Sequence, residues 1–365
     1  MDKVRVGIVG LGFGAEFIPI YEKMNNAECV AICRRDKEKL DKLGDQAGIS
    51  KRYTDFMQML KDPDIDAIHI NTDFMEHGWM TKESLKAGKH TACTINMAFT
   101  VEDCLEIVKL EEETGKVYMM METAIYTREF LYFKKLLDEG QIGNIQFMRG
   151  SHVQNMGLPG WDEYWYGMPP MINGTHALSP MSEAVGKPFL TVRCIGSGKI
   201  RDEYNQYGCS FAVETAQYTF KDSNVACEVS RSLFDVIRQY RESFDIYGDK
   251  MSMEWEQLID ENPVIFTGFE DAWRVHVPDT DYMLPKEIAS FALRHQSVDE
   301  SHVAFLQGSG HGGSHPHLAN EFISAIVEGR KSAVHAKKAA NWTMAGLLAH
   351  ESAKQGGVVI EIPQL

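Results

Sequence analysis

No stretch of the sequence approaches the ~18 consecutive apolar residues that a membrane-spanning helix needs, which predicts a chain with no membrane partner. Basic residues are in deficit. Lys and Arg total 37 against 52 Asp and Glu, and the resulting net charge of −15 repels polyphosphate and anionic headgroups, so nucleic acid is not an expected partner. Cysteine is sparse and shows no pairing pattern: seven residues, an odd number, with no Cys-x-x-Cys to hold zinc. These are expected to be reduced, buried thiols. The first apolar strand opens at Val4, leaving no room for a secretory h-region, and the expectation is a cytoplasmic protein. No internal repeat or low-complexity segment is present.

What is present is an ordinary globular composition over 365 residues, 44% hydrophobic and 24% charged, enough for about two domains of ~150 residues. The first third alternates short apolar runs with helical patterns, predicting strands at Val4–Val9, Cys29–Cys33, Ala67–Ile70, His90–Cys93 and Lys116–Met121. Thr100 followed by Asp103 resembles a capping box, opening a helix that ends near Gly115. This is a doubly wound parallel unit over residues 1–122. From there to residue 365 the texture changes to a helix, Arg128–Glu139, and longer alternating runs at Ile145–His152, Cys209–Phe220, Val225–Arg231 and Phe244–Tyr247. Helical patterns at His317–Glu328 and Ala336–Lys354 and a last strand, Val358–Ile362, follow. The second domain is therefore expected to be α+β with a large, mainly antiparallel open sheet, whose apolar face would favour a homo-oligomer.

Directly after the first strand, Gly10, Gly12 and Ala15 match G-x-G-x-x-A. Gly10 allows a tight turn, Gly12 lets backbone approach a pyrophosphate, and Ala15 is small enough for the following helix to pack on the strand. Taken alone the motif also describes a structural turn; its place between a strand and a helix inside a series of βα units favours a dinucleotide. The second strand ends Cys33-Arg34-Arg35, where NAD users commonly carry an acid. An arginine pair suits the 2′-phosphate of NADP, although Asp36 could still serve the ribose of NAD.

With these features, the stretch Asp62-Pro63-Asp64-Ile65-Asp66-Ala67, His77, the run Ala87-Gly88-Lys89-His90, and His176 twelve residues before Pro188, the chain resembles the glucose–fructose oxidoreductase, inositol dehydrogenase and MocA family. The resemblance implies a Rossmann domain followed by an open α/β domain, and hydride transfer between NAD or NADP and a hydroxyl of a sugar or cyclitol. It also implies cofactor contacts from Gly10, Gly12, Phe13, Gly14 and Ala15, from Arg34 and Arg35, and from Asn71, Thr72, His77 and Thr94. Two expected reaction-carrying residues are absent. The family's Glu-Lys-Pro triplet reads Thr94-Ile95-Asn96, and the Asp expected four residues before the histidine is Ile172. Isoleucine can neither take a proton nor donate a hydrogen bond, which leaves His176 as the expected base.

The segment from Thr175 to Pro180, the triplet His311-Gly312-Gly313, and Glu122 followed by Tyr126 resemble the redox-neutral NAD-dependent glycosidases of the same superfamily. That resemblance implies oxidation of a sugar at C3, loss of the C2 proton to Glu122 or Tyr126, elimination of the aglycone, hydration and re-reduction. A non-catalytic dinucleotide-binding regulator is the third reading, which the missing lysine and aspartate would suit. The run Gly308–His317 brings His311, His315 and His317 into a glycine-rich loop. With no cysteine or carboxylate close in sequence, no metal is assigned there; a substrate-edge loop or a plain helix entry are the alternatives. Trp161 and Tyr164, in an aromatic segment, are candidates for a sugar face or for seam packing. His152 and Asn173 complete the substrate candidates, His152 being also readable as a core histidine, as is His69.

Overall fold

The computed structural model describes residues 3–157, 163–206, 208–209, 211–236, 238, 240–258, 261–293 and 310–365. Trp161 lies outside the described residues. The chain divides into two compact units, Met1–Thr127 with Asp279–Ala340, and Arg128–Pro278 with Asn341–Leu365.

The first unit carries β1 (Val4–Val9), α1 (Ile18–Lys23), β2 (Ala27–Cys33), α2 (Lys37–Ala47), β3 (Lys51–Tyr53), α3 (Phe56–Leu60), β4 (Ala67–Ile70), α4 (Phe74–Lys86), β5 (His90–Thr94), α5 (Val101–Thr114) and β6 (Tyr118–Met121). The strands form a six-stranded sheet in the order β3-β2-β1-β4-β5-β6, all parallel. β4 and β6 are buried along their whole length, as strands covered on both faces by crossover helices must be. The Met119, Met120 and Met121 run is thus core packing. Thr100 caps α5 as expected, accepting from the Asp103 amide at 3.1 Å, and Gly115 closes it at φ +63°. Because β1 pairs with β2 on one side and β4 on the other, the loops leaving the carboxyl ends of β1 and β4 diverge at a topological switch point. Residues beyond 279 complete this unit: the Met120 amide donates to the Val334 carbonyl at 3.1 Å, and the Ser332 hydroxyl to the Tyr118 carbonyl at 2.6 Å.

The second unit opens with α6 (Arg128–Asp138) and holds β7 (Ile145–Gln154), α7 (Thr175–Val185), β8 (Phe189–Ser197), β9 (Val213–Phe220), β10 (Ala226–Ser232), β11 (Tyr240–Gly248), β12 (Ser252–Glu254), β13 (Val264–Phe266), β14 (Ala272–Arg274) and β15 (Ile360–Glu361). They form a nine-stranded sheet, β14-β13-β12-β11-β7-β10-β9-β8-β15. Its central pair β7 and β10 runs parallel, so the sheet is mixed within a mainly antiparallel architecture. The strand expected from Cys209 begins at Val213. β8 and α7 were not anticipated. Pro180 hides α7 in the sequence, since proline offers no N–H to the carbonyl of His176 and reads as a helix breaker. α7 lies close on β7 at Gly150, where a Cβ would come 2.6 Å from Met181 Cε and 3.2 Å from the Ala177 carbonyl. β9 alternates buried and exposed residues, leaving one sheet face outward with Phe147, Ile195 and Val359 exposed. All seven cysteines are buried and free of disulfides. Among the described residues no helix is long and apolar enough to cross a membrane.

Candidate active site

In the first unit the glycine loop after β1 meets the loop after β4. Gly10 sits at φ +83°, and a Cβ there would lie 2.3 Å from the Asn71 carbonyl, so only glycine permits this approach. Around Gly12 nothing lies within 4 Å of where a Cβ would be. That opening is what a pyrophosphate approaching backbone requires. The close packing of turn on strand that the motif gives to Ala15 falls instead on Gly14, whose Cβ would meet Ile8 at 2.9 Å and Asn71 at 3.0 Å; Ala15 is half-buried. The expected helix does not start directly behind the loop. Residues Gly14–Phe17 form a 3-10 turn and α1 begins at Ile18, because Pro19 has no N–H for the Ala15 carbonyl and the Ile18 amide serves it in its place.

Arg34 and Arg35 follow β2, half-buried and exposed respectively. Asp36 is committed elsewhere: it caps α2, accepting from the Lys39 amide at 3.1 Å, a bond that holds its carboxyl below the usual range. Asn71 is buried and its side chain donates to the His69 carbonyl at 3.3 Å. His77, buried on α4, braces two loops, with Nδ1 2.7 Å from the Asn96 carbonyl and Nε2 3.0 Å from that of Thr72. Thr94 Oγ1 lies 3.4 Å from the same Nε2. Burial lowers the His77 pKa. His77 therefore positions the ends of β4 and β5. The residues present fit a dinucleotide: an open glycine cradle at the switch point, cations at the β2 end, and braced loops beside it.

The same unit holds a chain of three polar groups that sequence reasoning only half anticipated. Glu16, buried in the 3-10 turn, places Oε2 3.1 Å from His315 Nδ1, and His315 Nε2 lies 3.2 Å from His311 Nδ1. Phe13 stands edge-on to both imidazoles, at centroid distances of 5.8 Å and 5.1 Å. His311 adopts φ 41°, ψ 61°, followed by Gly312 at φ +66° and Gly313 at φ +84°. Left-handed backbone at a non-glycine residue costs about 1–2 kcal/mol. His317 turns elsewhere: it bonds Thr280 Oγ1 at 2.8 Å and stacks on Tyr126 at 6.1 Å. Glu122, fully buried at the end of β6, accepts from the Ala124 amide at 3.0 Å. His69 is core, within 3.1 Å of the Tyr21 hydroxyl.

In the second unit three adjacent strands put polar residues side by side on the inner face. The register pairs His152 of β7 with Arg231 of β10 and with Glu242 of β11. Glu242 Oε1 lies 3.4 Å from His152 Nε2 and 3.9 Å from His176 Nε2, and the two imidazole rings are 5.1 Å apart. The Tyr240 hydroxyl donates to the same carboxylate at 2.5 Å. Arg231 is fully buried and donates to the carbonyls of Asn173 at 2.8 Å, His152 at 3.0 Å and Ser232, and to Gln154 Oε1 at 2.7 Å. Burial pushes its pKa down to about 9, which leaves it cationic at neutral pH. Asn173 thus enters through its carbonyl, in a turn also held by the Met171 amide donating to Glu214 at 2.8 Å. Tyr164 sits in a short 3-10 turn with its ring 5.4 Å from Trp165. Sequence reasoning missed Glu16, Arg231, Tyr240 and Glu242; for Arg231 and Glu242 the signal available was charge at strand positions that alternation turns inward.

Residues 4–122 match the model of an oxidoreductase family with an NAD-binding Rossmann fold, and residues 134–362 match the C-terminal α/β domain of the same family, GFO/IDH/MocA. A glycosyl hydrolase family 109 protein of Shewanella baltica is 30% identical over 206 residues, and an alpha-N-acetylgalactosaminidase of Shewanella oneidensis is 28% identical over 206. Each alignment takes in 50% of this chain and 44% of the relative, so the chain spans less than half the length of these curated relatives. Among solved structures, levoglucosan dehydrogenase in complex with NADH and L-sorbose superposes with a TM-score of 0.80 at 19% identity, covering 100% of both chains. An oxidoreductase of Agrobacterium radiobacter in complex with NAD+, L-tartaric acid and magnesium gives 0.80 at 18% identity, covering 99% of this chain and 98% of that one.

Proposed function

The chain belongs to the GFO/IDH/MocA oxidoreductase family, with its NAD-binding Rossmann fold, and from that premise we propose an enzyme that moves hydride between a nicotinamide cofactor and a ring hydroxyl or ketone of a sugar, glycoside or cyclitol. The observation that carries this is the Glu242 carboxylate lying between the imidazoles of His152 and His176. A neighbouring carboxylate stabilises the protonated form of an imidazole base. His176 takes the proton of the hydroxyl being oxidised, Glu242 stabilises the imidazolium that results, and Tyr240 orients the carboxylate. In this reading His176 takes the proton-accepting part that the lysine absent at Ile95 would otherwise play. Gly10, Gly12, Phe13 and Gly14 would hold the pyrophosphate, and Asn71, Thr72 and Thr94 the nicotinamide riboside. When bound, the nicotinamide supplies the hydride acceptor and, in the reverse direction, the donor.

With Asp36 engaged in capping, Arg34 and Arg35 favour a 2′-phosphate, so NADP binds more tightly than NAD; Arg34→Asp is expected to reverse that order in titrations with both nucleotides. The exposed sheet face with Phe147, Ile195 and Val359 is where a second copy would pair, and light scattering would count the copies.

A redox-neutral glycosidase is the second reading. It needs a second proton acceptor for the C2 hydrogen, and the linked His311 and His315 beside the glycine loop offer an imidazole for it. One assay divides the readings: incubate the protein and cofactor with free sugars and chromogenic glycosides, following reduced cofactor by absorbance together with aglycone release. Stoichiometric reduction supports the dehydrogenase. Aglycone release without net reduction supports the glycosidase, and neither across a broad panel overturns both in favour of a regulator.

A further inference from the structure

We propose that Glu16 and His315 form a relay that fixes His311 with its proton on Nδ1 and its lone pair on Nε2, making His311 a second proton acceptor beside the dinucleotide loop. The inference follows from the order of donors and acceptors. A carboxylate only accepts, so the 3.1 Å contact from Glu16 Oε2 holds the His315 proton on Nδ1. In neutral imidazole the other nitrogen then carries the lone pair, and His315 Nε2 must accept across its 3.2 Å contact. The donor there is His311 Nδ1–H, which leaves Nε2 of His311 as the basic atom. When that atom gains a proton, the Nδ1 proton of His311 can pass to His315 Nε2. The relay then holds one proton more, the one taken up at His311 Nε2, and the positive charge rests on the imidazole adjoining the Glu16 carboxylate.

The surroundings favour this arrangement. Glu16 and His315 are both buried, with exposures of 8% and 4%, so their pairing is little screened by solvent. Phe17 packs against His315 at 4.8 Å and Phe13 stands edge-on at 5.1 Å, fixing the ring plane. His69, on the neighbouring strand β4, is held by burial at a pKa of about 3 and so adds no charge. Gly312 and Gly313 supply the left-handed turn that aims His311, and a Cβ at Gly312 would press on Thr127 at 3.2 Å. Glu16 is a positioning residue, acting through His315. The chemistry it supports is removal of a carbon-bound or hydroxyl proton from a carbohydrate, which rests on the functional reading above.

Histidine-selective 15N labelling of the full chain tests the relay without any substrate. Long-range 1H–15N spectra at pH 8 should show His311 and His315 both as Nδ1–H tautomers, with assignments from His311→Gln and His315→Gln. Glu16→Gln should release His315 to a mixture of tautomers and Glu16→Asp should restore the Nδ1–H form. In the activity assay Glu16→Gln should lower kcat about 10- to 100-fold with KM and cofactor Kd within about twofold, a share of the ~10²–10⁴-fold that general acid–base groups supply. An Nε2–H tautomer of His311 in the native protein overturns the relay, whether or not Glu16→Gln folds. A native Nδ1–H tautomer that Glu16→Gln leaves untouched overturns the part of Glu16. The tautomers as stated, with no turnover of any sugar or glycoside, uphold the relay and reject the catalytic reading instead.

Discussion

Each unit holds a cluster of one carboxylate and two imidazoles, yet the acid sits at the end of the row in one and between the rings in the other. In the first unit the Glu16 carboxylate lies against His315, which in turn touches His311. In the second, Glu242 stands 3.4 Å from His152 and 3.9 Å from His176. A terminal acid dictates tautomers down the row, because each ring inherits its orientation from the one before. A central acid favours a proton on the nitrogen that faces it in each ring, and passes no tautomer on to a further ring. It stabilises positive charge on either ring and so suits a group that must accept and return a proton repeatedly. The same three ingredients thus yield a directional device and a bidirectional one.

The strongest way to break this comparison is to remove the ring expected to meet substrate. His176→Ala should lower turnover by about 10²–10⁴-fold while cofactor affinity, measured by calorimetry, stays nearly unchanged. Wild-type turnover would remove His176 from the mechanism. Next comes Arg231→Met, which leaves the carbonyls of His152 and Asn173 without their buried donor and should destabilise the second unit by about 3–5 kcal/mol in urea unfolding. Glu242→Gln should cost turnover roughly 10²-fold, measured in the same assay. The smallest effect concerns His69, an imidazole whose partner is the neutral phenol of Tyr21. Burial lowers its pKa to about 3, below the unfolded value near 6.5, so the unfolded chain takes up a proton that the folded site refuses. Stability from this site is complete above pH 6.5 and falls as pH drops toward 3. Between pH 6.5 and 5 the loss should be about 1–2 kcal/mol, and His69→Gln should flatten it in urea titrations at the two pH values.

What was legible in the sequence was what neighbours in sequence decide. The glycine loop, the Thr100 cap and the buried strands of the first sheet depend on local periodicity and turn chemistry, and they stand where those signals put them. The close packing at Gly14 rather than Ala15 was not legible, because it depends on Asn71 across the switch point. The two acids escaped for the same reason. Glu16 finds His315 far along the chain, and Glu242 meets His152 only through the β7–β11 register. Helix α7 was hidden by its own Pro180, although the helix is what carries His176. His317 shares the loop of the other two histidines in sequence but bonds Thr280 in space.

Arg231 ties together the backbone of β7, the end of β10 and the turn that leads into α7. A single cation spread over carbonyls from separate segments makes their opening all-or-none: releasing one leaves the charge poorly solvated among the rest. Slow amide exchange should therefore be shared across those segments as one cooperative block. Variation in what this protein accepts would then have to arise from side chains outside the block, with the floor beneath His152 and His176 inherited unchanged.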